Sequence, residues 1–422
     1  MKNLQDDILM ILGLPSMKDA ILESNKIPIH RSREYMLNAA VSAGNGQYLQ
    51  AWLWLFRGRE ECSEESMFSK LIHQHFQTDK TSLHVLHGSI EIANQMNTLS
   101  KGLRKMGIVS DSLNYYPYYL NFQNDYTWDL RNQRSTTELN VKLRKLAEEM
   151  IMKYDLFHFH FGTTMTFDYS DFQLLNDAKK PMVMHHWGSD VRMHSIALKS
   201  NPYALVKTNN ERVIQQKLKT LSGHIKHCII PDYELYPYVK DYYEHVHIVP
   251  SAIDLTTYQP AAANNKNDMP LFVHAPTSPF IKGTAHILKA IDKLKETYSF
   301  QFRLVQGMSH KEAKKIYEKA DVIIDQLHIG SYGLFSVESM ALGKPVVCYI
   351  SNEMQHHYPE GLPIITANPD TIGSVLENLL QNRDSFPETG RKSRIYAEKH
   401  HDSSAVCPLI QTIYQSAQNN PC

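Results

Sequence analysis

From Ser82 onward the chain alternates short apolar runs with amphipathic stretches. Leu83–His87 predicts a strand, followed by Gly88 and a helix over Glu91–Met106. Leu156–Phe161, Pro181–His186, Ile225–Ile230 and His245–Val249 predict further strands. Gln259–Met269, with Pro260, three alanines and three asparagines, reads as a linker. A second series follows it. Strands are expected at Leu271–Ala275, Phe300–Val305, Asp321–Asp325, Pro345–Ile350 and Pro363–Thr366. Helices are expected at Ala285–Tyr298, Lys311–Lys319, Leu334–Leu342 and Asp370–Gln381. Strands alternating with helices predict parallel sheets covered on both faces, an α/β architecture of two successive domains. Ligands of such sheets bind beyond the carboxyl ends of the strands. The expected boundaries are a helical N-terminal extension over 1–80, β/α domains over 81–258 and 270–400, and a C-terminal helix within 401–422. Residues 1–80 are polar and irregular apart from the patch Trp52, Trp54 and Phe56, which fits a partner, a membrane surface or the neighbouring domain.

Composition narrows the function classes. Forty-four Lys and Arg balance forty-four Asp and Glu, so the basic excess of a nucleic-acid binder is missing. Five scattered cysteines without a CxxC pair read as reduced thiols in a cytoplasmic protein. Asp6 and Asp7 precede the short apolar run Ile8–Leu14, which does not read as a signal peptide. Polar residues interrupt the charge-free stretch Tyr35–Phe56, so no transmembrane segment is expected, although peripheral membrane contact stays open. Of the twenty-two histidines, His158 with His160 and His245 with His247 alternate along strands and share a face. Without a carboxylate or cysteine set nearby they read as packed or surface residues, and a metal site is the second reading.

Chemistry concentrates between Ile329 and Pro345. A strand ends near Asp325, a loop bearing Gly330 and Gly333 follows, and a helix begins near Gly333. Glycine lets the backbone approach a ligand, and the free N–H groups of a helix start favour an anion such as a diphosphate. Glu338, about one turn into the helix, suits a pair of ribose hydroxyls; the plainer reading leaves it exposed on a helix surface.

The run Tyr332–Pro345 resembles the donor-site signature of family-4 retaining glycosyltransferases, E-G-F-G-x-x-x-x-E-A-M-A-x-G-K-P. Gly333, Glu338, Met340, Ala341, Gly343, Lys344 and Pro345 match in place. His274–Lys289 is similar to that family's first donor-domain strand and helix, opened by Lys282-Gly283, and Ser82–Gly107 to its first acceptor-domain unit. Met182–Arg192 resembles its H-G-S-D-V-R loop, and Val249–Tyr258 its P-N-P-V-D-x-x-x-F segment. The resemblance covers roughly 82–400.

It implies a GT-B fold, two doubly wound Rossmann-like domains facing each other across a cleft, with the helix near Ser404–Ala417 packing back on the first. It implies transfer of a sugar from a UDP- or GDP-sugar to a glycan, lipid-linked or protein acceptor with retention, as in polysaccharide biosynthesis. Lys282 and the N–H groups of Gly333, Leu334 and Phe335 would hold the donor diphosphate, Glu338 the ribose, and Gly88 would give the diphosphate room. His186 and Asp190 would border the acceptor and the reacting sugar, with His186 as a catalytic partner of Lys282. For these two, a packed core histidine and a helix cap are the alternatives. No Asp-x-Asp motif is present, so the expectation is metal-independent chemistry without a cofactor. Three departures stand out: the signature's first glutamate falls at Gly330, the arginine five positions before Lys282 at Thr277, and in the acceptor-side loop Trp187 precedes Gly188 where the family often has histidine, with His186 one position earlier. They leave room for a catalytically degenerate GT-B binding subunit, and the shared architecture for a nucleotide-sugar 2-epimerase.

Overall fold

The computed structural model describes residues 4–14, 16–24, 31–62, 65–75, 82–118, 120–260 and 269–419. The linker expected over Gln259–Met269 lies largely outside them. Two compact units divide the chain: residues 1–84 with 135–156 and 165–180, and residues 85–134 with 157–164 and 181–422.

In the first unit, Leu4, Ile8, Met36, Ala40, Leu55, Phe68 and Ile72 build a helical core. Gly58 makes it close-packed, because a Cβ there would stand 2.2 Å from the Phe68 ring. The unit also takes in the helices Thr137–Lys153 and Asp171–Asp177. Helix Tyr48–Glu61 contacts Thr137–Lys153, Arg57 pairs with Asp177 at 3.8 Å, and the ammonium groups of Lys180 and Lys179 lie 5.7 and 5.5 Å from the Trp52 and Phe56 rings. The aromatic patch is therefore seated on helices that the sequence assigned to the next domain. The N-terminal helices do not form a unit by themselves. A chain beginning at Lys80 is expected to melt lower by about 1–2 kcal/mol, since each cation–π contact contributes about 0.5–1 kcal/mol. An unchanged melting temperature would show the extension to be separable.

The second unit carries the sheets, apart from the first residue of β1 and of β4. Seven strands form the first: β1 (His84–Ser89), β2 (Val109–Asn114), β3 (Tyr126–Thr127), β4 (Leu156–His160), β5 (Met182–His185), β6 (His227–Ile230) and β7 (His245–Ile248), in the order β3-β2-β1-β4-β5-β6-β7. Four form the second: β8 (Leu271–His274), β9 (Gln301–Leu304), β10 (Val322–Ile324) and β11 (Val346–Val347), in the order β11-β10-β8-β9. The pairings β2–β3, β4 to β7 and those of the second sheet are parallel. Along β8 and β10, Val273 and Ile323 enter one core while Phe272, Val322 and Ile324 enter another, as expected for a sheet buried on both faces. The sequence missed β2, whose inward Ser110, Ser112 and Asn114 are buried polar groups that hide the apolar signal. The expected strand Pro363–Thr366 is reduced to a single bridge, Val347 to Ile365.

The order reverses between β1 and β4 in the first sheet and between β8 and β10 in the second. These are the crevices where ligands of such sheets bind. Loops beyond the strands meet across the unit. Asn201 Nδ2 donates to the His328 carbonyl at 2.7 Å, His328 Nδ1 donates to the Tyr203 carbonyl at 2.8 Å, and Tyr358 Oη donates to Asp232 at 3.0 Å. Helix Ser403–Asn419 returns to the first sheet, contacting helix Gln95–Lys105 and β5. Among the described residues no helix is long and apolar enough to cross a membrane.

Candidate functional site

The second sheet's crevice is built from both sides. After β8 the chain makes the short helix Pro279–Lys282, ended by Gly283 at φ +75°, a left-handed value that favours glycine. A side chain at Gly283 would also meet Leu327 Cβ at 3.0 Å. This turn fixes Lys282, whose Nζ lies 2.5 Å from Asp325 Oδ1 just beyond β10. Asp325 also accepts from Ser336 Oγ at 2.7 Å. Its side chain is fully buried, whereas that of Lys282 is 16% exposed. Burial works to raise the Asp325 carboxyl, but the Lys282 charge and the two hydrogen bonds hold it below its ordinary value.

Gly333 caps helix Leu334–Ala341, and a Cβ built on it would stand 3.9 Å from both Lys282 Nζ and Asp325 Oδ2. The ammonium thus sits beside the helix start, where the first N–H groups, including those of Leu334 and Phe335, have no partner within the helix. Five residues on, Glu338 is buried, and its Oε1 accepts from Tyr258 Oη at 2.6 Å and His310 Nε2 at 2.8 Å. No hydrogen bond among the described residues reaches its Oε2. His310 is placed by local sequence: Ser309 and Glu312 form a capping box, making His310 the first residue of helix His310–Tyr317. Burial opposes a proton on His310, yet the Glu338 hydrogen bond and charge outweigh it and raise the imidazole.

Gly330 lies behind this site at φ +82°, and a Cβ there would come 3.1 Å from both Asn201 Nδ2 and Ser351 Cβ. The glutamate of the resembled signature has neither the backbone nor the space. Gly330→Glu is expected to cost at least ~2 kcal/mol from left-handed strain and crowding, read as a lower melting temperature. An unchanged melt would show that the loop can reshape.

In the first sheet, Ser89 Oγ donates to the Thr164 carbonyl at 2.7 Å, joining the ends of β1 and β4 across the crevice. Gly88 stands there, but a Cβ would meet only ordinary contacts, nearest Leu113 O at 3.7 Å, so the fold alone does not demand glycine. His186, just past β5, is 1% exposed, and its nitrogens face Asp190 Oδ2 at 2.7 Å and Tyr243 Oη at 2.8 Å. Asp190 Oδ1 accepts from the N–H groups of Trp187 and Gly188 at 3.1 and 2.9 Å. Burial raises the Asp190 carboxyl, but His186 and these donors bring it below its ordinary value. The resemblance implied that His186 and Asp190 border the acceptor and the reacting sugar; in the structure the two His186 nitrogens face Asp190 and Tyr243. Trp187, the next residue, is the partly exposed one.

Of the residues named from the sequence, the structure places Lys282 beside Gly333, puts Glu338 in the helix that Gly333 caps, and pairs His186 with Asp190 in another loop. The sequence missed Asp325, Tyr258 and His310. The only signal for Asp325 was a carboxylate closing an apolar strand at its carboxyl end.

Two Rossmann-like sheets joined within one unit, with a chain end returning to the first, define the GT-B fold. No family model matches the chain, and no curated protein matches it. Solved structures do. Sucrose-phosphate synthase from Thermosynechococcus elongatus aligns with a TM-score of 0.56 at 12% identity, over 79% of this chain and 98% of its own. Anabaena HepE in complex with UDP-glucose gives 0.54 at 12% identity, over 79% and 99%. The catalytic domain of starch synthase IV from Arabidopsis thaliana, bound to ADP and acarbose, gives 0.56 at 11% identity, over 81% and 100%. These neighbours are glycosyltransferases of GT-B architecture, and at such identities they establish the fold.

Proposed function

We propose that this chain is a retaining glycosyltransferase that uses a nucleotide-diphosphate sugar, without a metal, to glycosylate a glycan, lipid-linked or protein hydroxyl in the cytoplasm. The observation that carries the reading is the Lys282 ammonium beside the start of helix Leu334–Ala341, at the point where the second sheet reverses its order. A departing diphosphate is stabilised by a fixed cation and oriented N–H groups. Glu338 Oε2 is the oxygen left for the ribose, while Tyr258 and His310 hold Oε1. That role is positioning rather than proton transfer. Neighbours solved with UDP-glucose and with ADP support a nucleotide donor.

The filled space around Gly330 favours one second reading, a GT-B subunit that binds a nucleotide sugar without turning it over. A thermal-shift panel of UDP-, GDP- and ADP-sugars tests donor binding, since a ligand of the native state raises stability by mass action. Release of free sugar from the donor that binds then separates enzyme from binding subunit. Conversion of UDP-GlcNAc without any acceptor would instead indicate an epimerase.

A further inference from the structure

The first sheet holds a group of histidines that donor chemistry does not use. His87 on β1, His158 and His160 on β4 and His185 on β5 are all buried. The ligand atoms of the first three lie within 4.8 Å of one another, a spacing a metal ion can bridge. Their hydrogen bonds argue otherwise. Trp187 Nε1–H, which only donates, points at His160 Nδ1 at 3.1 Å. A neutral His160 therefore carries its proton on Nε2 and donates to His87 Nδ1 at 3.0 Å. His87 then carries its proton on Nε2, facing Tyr414 Oη at 3.4 Å, and Tyr414 donates to His158 Nδ1 at 2.7 Å. The chain ends on His158 Nε2, which is buried without a partner. Burial lowers the pKa of all three imidazoles, in keeping with neutral rings. Every nitrogen that would bind a metal between His160 and His87 is thus committed to a one-way chain that starts at Trp187.

The same group fixes the indole. His185 stacks on one of its faces at 3.9 Å and 18°, and His160 lies 7° from its plane with the hydrogen bond at its edge. No other ring among the described residues stacks on Trp187, which is partly exposed in the loop beyond β5. We propose that Trp187 is an aromatic platform for a pyranose ring of the acceptor, with His160, His87 and Tyr414 as positioning residues that set its plane. A flat apolar face lined by C–H groups on one side suits a rigid aromatic surface, and a ring already fixed loses little entropy on binding. This rests on the glycosyltransferase reading for the acceptor's chemical class.

Maltotriose, cellotriose and chitotriose titrated with UDP present, read by tryptophan fluorescence and by calorimetry, provide the test. At least one is expected to bind, with affinity at least tenfold weaker in Trp187→Ala, within threefold in Trp187→Phe, and with UDP affinity unchanged in both. Should Trp187→Ala misfold, Tyr414→Phe serves instead: it is expected to weaken saccharide binding about threefold and to shift the Trp187 indole ¹⁵N–¹H resonance. UDP binding with no saccharide binding, or equal binding by Trp187→Ala, overturns the platform while leaving the donor site intact; absence of UDP binding in the wild type counts against the glycosyltransferase reading instead. An unmoved indole resonance, or a rise in melting temperature on adding Zn²⁺ alone, overturns the hydrogen-bond chain.

Discussion

Lys282→Ala is expected to lose about a hundredfold in turnover, the cost of ~3 kcal/mol when a preorganised donor to a developing phosphate charge is removed. It is also expected to lose stability. Asp325 is fully buried, and removing its partner strands an unpaired carboxylate, a change that costs about 3–5 kcal/mol. Lys282→Ala combined with Asp325→Asn separates the two effects. Neutralising the carboxylate should return most of the stability, because the carboxamide oxygen can still accept from Ser336, while turnover stays low. Glu338→Ala should weaken donor binding by roughly 1.5–3 kcal/mol, the usual range for hydrogen bonds to a charged group. Turnover recovering in the double variant would mean that Lys282 serves only the fold.

Acidification supplies the second large effect. His87 is pushed down to about 3 and His274 and His401 to about 4, chiefly by burial. His158, His160 and His185 are lowered well below 6.5 for the same reason. An unfolded imidazole takes its proton near 6.5, whereas these take theirs only near their folded values. Their contribution is therefore complete above pH 6.5 and is lost as the pH falls from there. Raised groups run the other way, Glu148 among them through burial. Burial raises Glu91 to about 8 and Asp232 to about 7, and Glu338 raises His310. The lowered imidazoles, which also include His227, His247, His328 and His400, outnumber the raised groups, so the unfolded chain binds more protons below pH 6.5 and stability falls with pH there. Denaturant midpoints should collapse between pH 6.5 and 5.5. Equal midpoints at pH 7 and 5.5 would show the histidines to be hydrated.

The legible parts of this chain are those with local signals. Strand runs such as Leu271–Ala275, the glycine before the helix and Glu338 one turn later all follow from spacing along one segment. What the sequence hid depends on distant partners. Asp325 is 43 residues from Lys282, and Tyr258 is 80 from Glu338, so nothing periodic links them. His186 illustrates the limit of a matched motif. The run Gly188–Arg192 fits the resembled pattern with Trp187 in the histidine's place, and only the fold shows Tyr243, 57 residues after His186, facing its second nitrogen. The seat of Trp52 and Phe56 likewise needed Lys179, Lys180 and Asp177 from a segment more than a hundred residues away.

The proposed donor site is the Lys282 ammonium together with the start of helix Leu334–Ala341, which would hold the diphosphate of a nucleotide sugar. Calorimetric titration of UDP and GDP into the wild type and the Lys282→Ala, Asp325→Asn double variant tests it most directly. One of the two nucleotides should bind the wild type, and its affinity should fall at least tenfold in a double variant that melts like the parent. Binding of equal strength in both proteins, or no binding of either nucleotide to the wild type, would place the diphosphate elsewhere or nowhere on this chain.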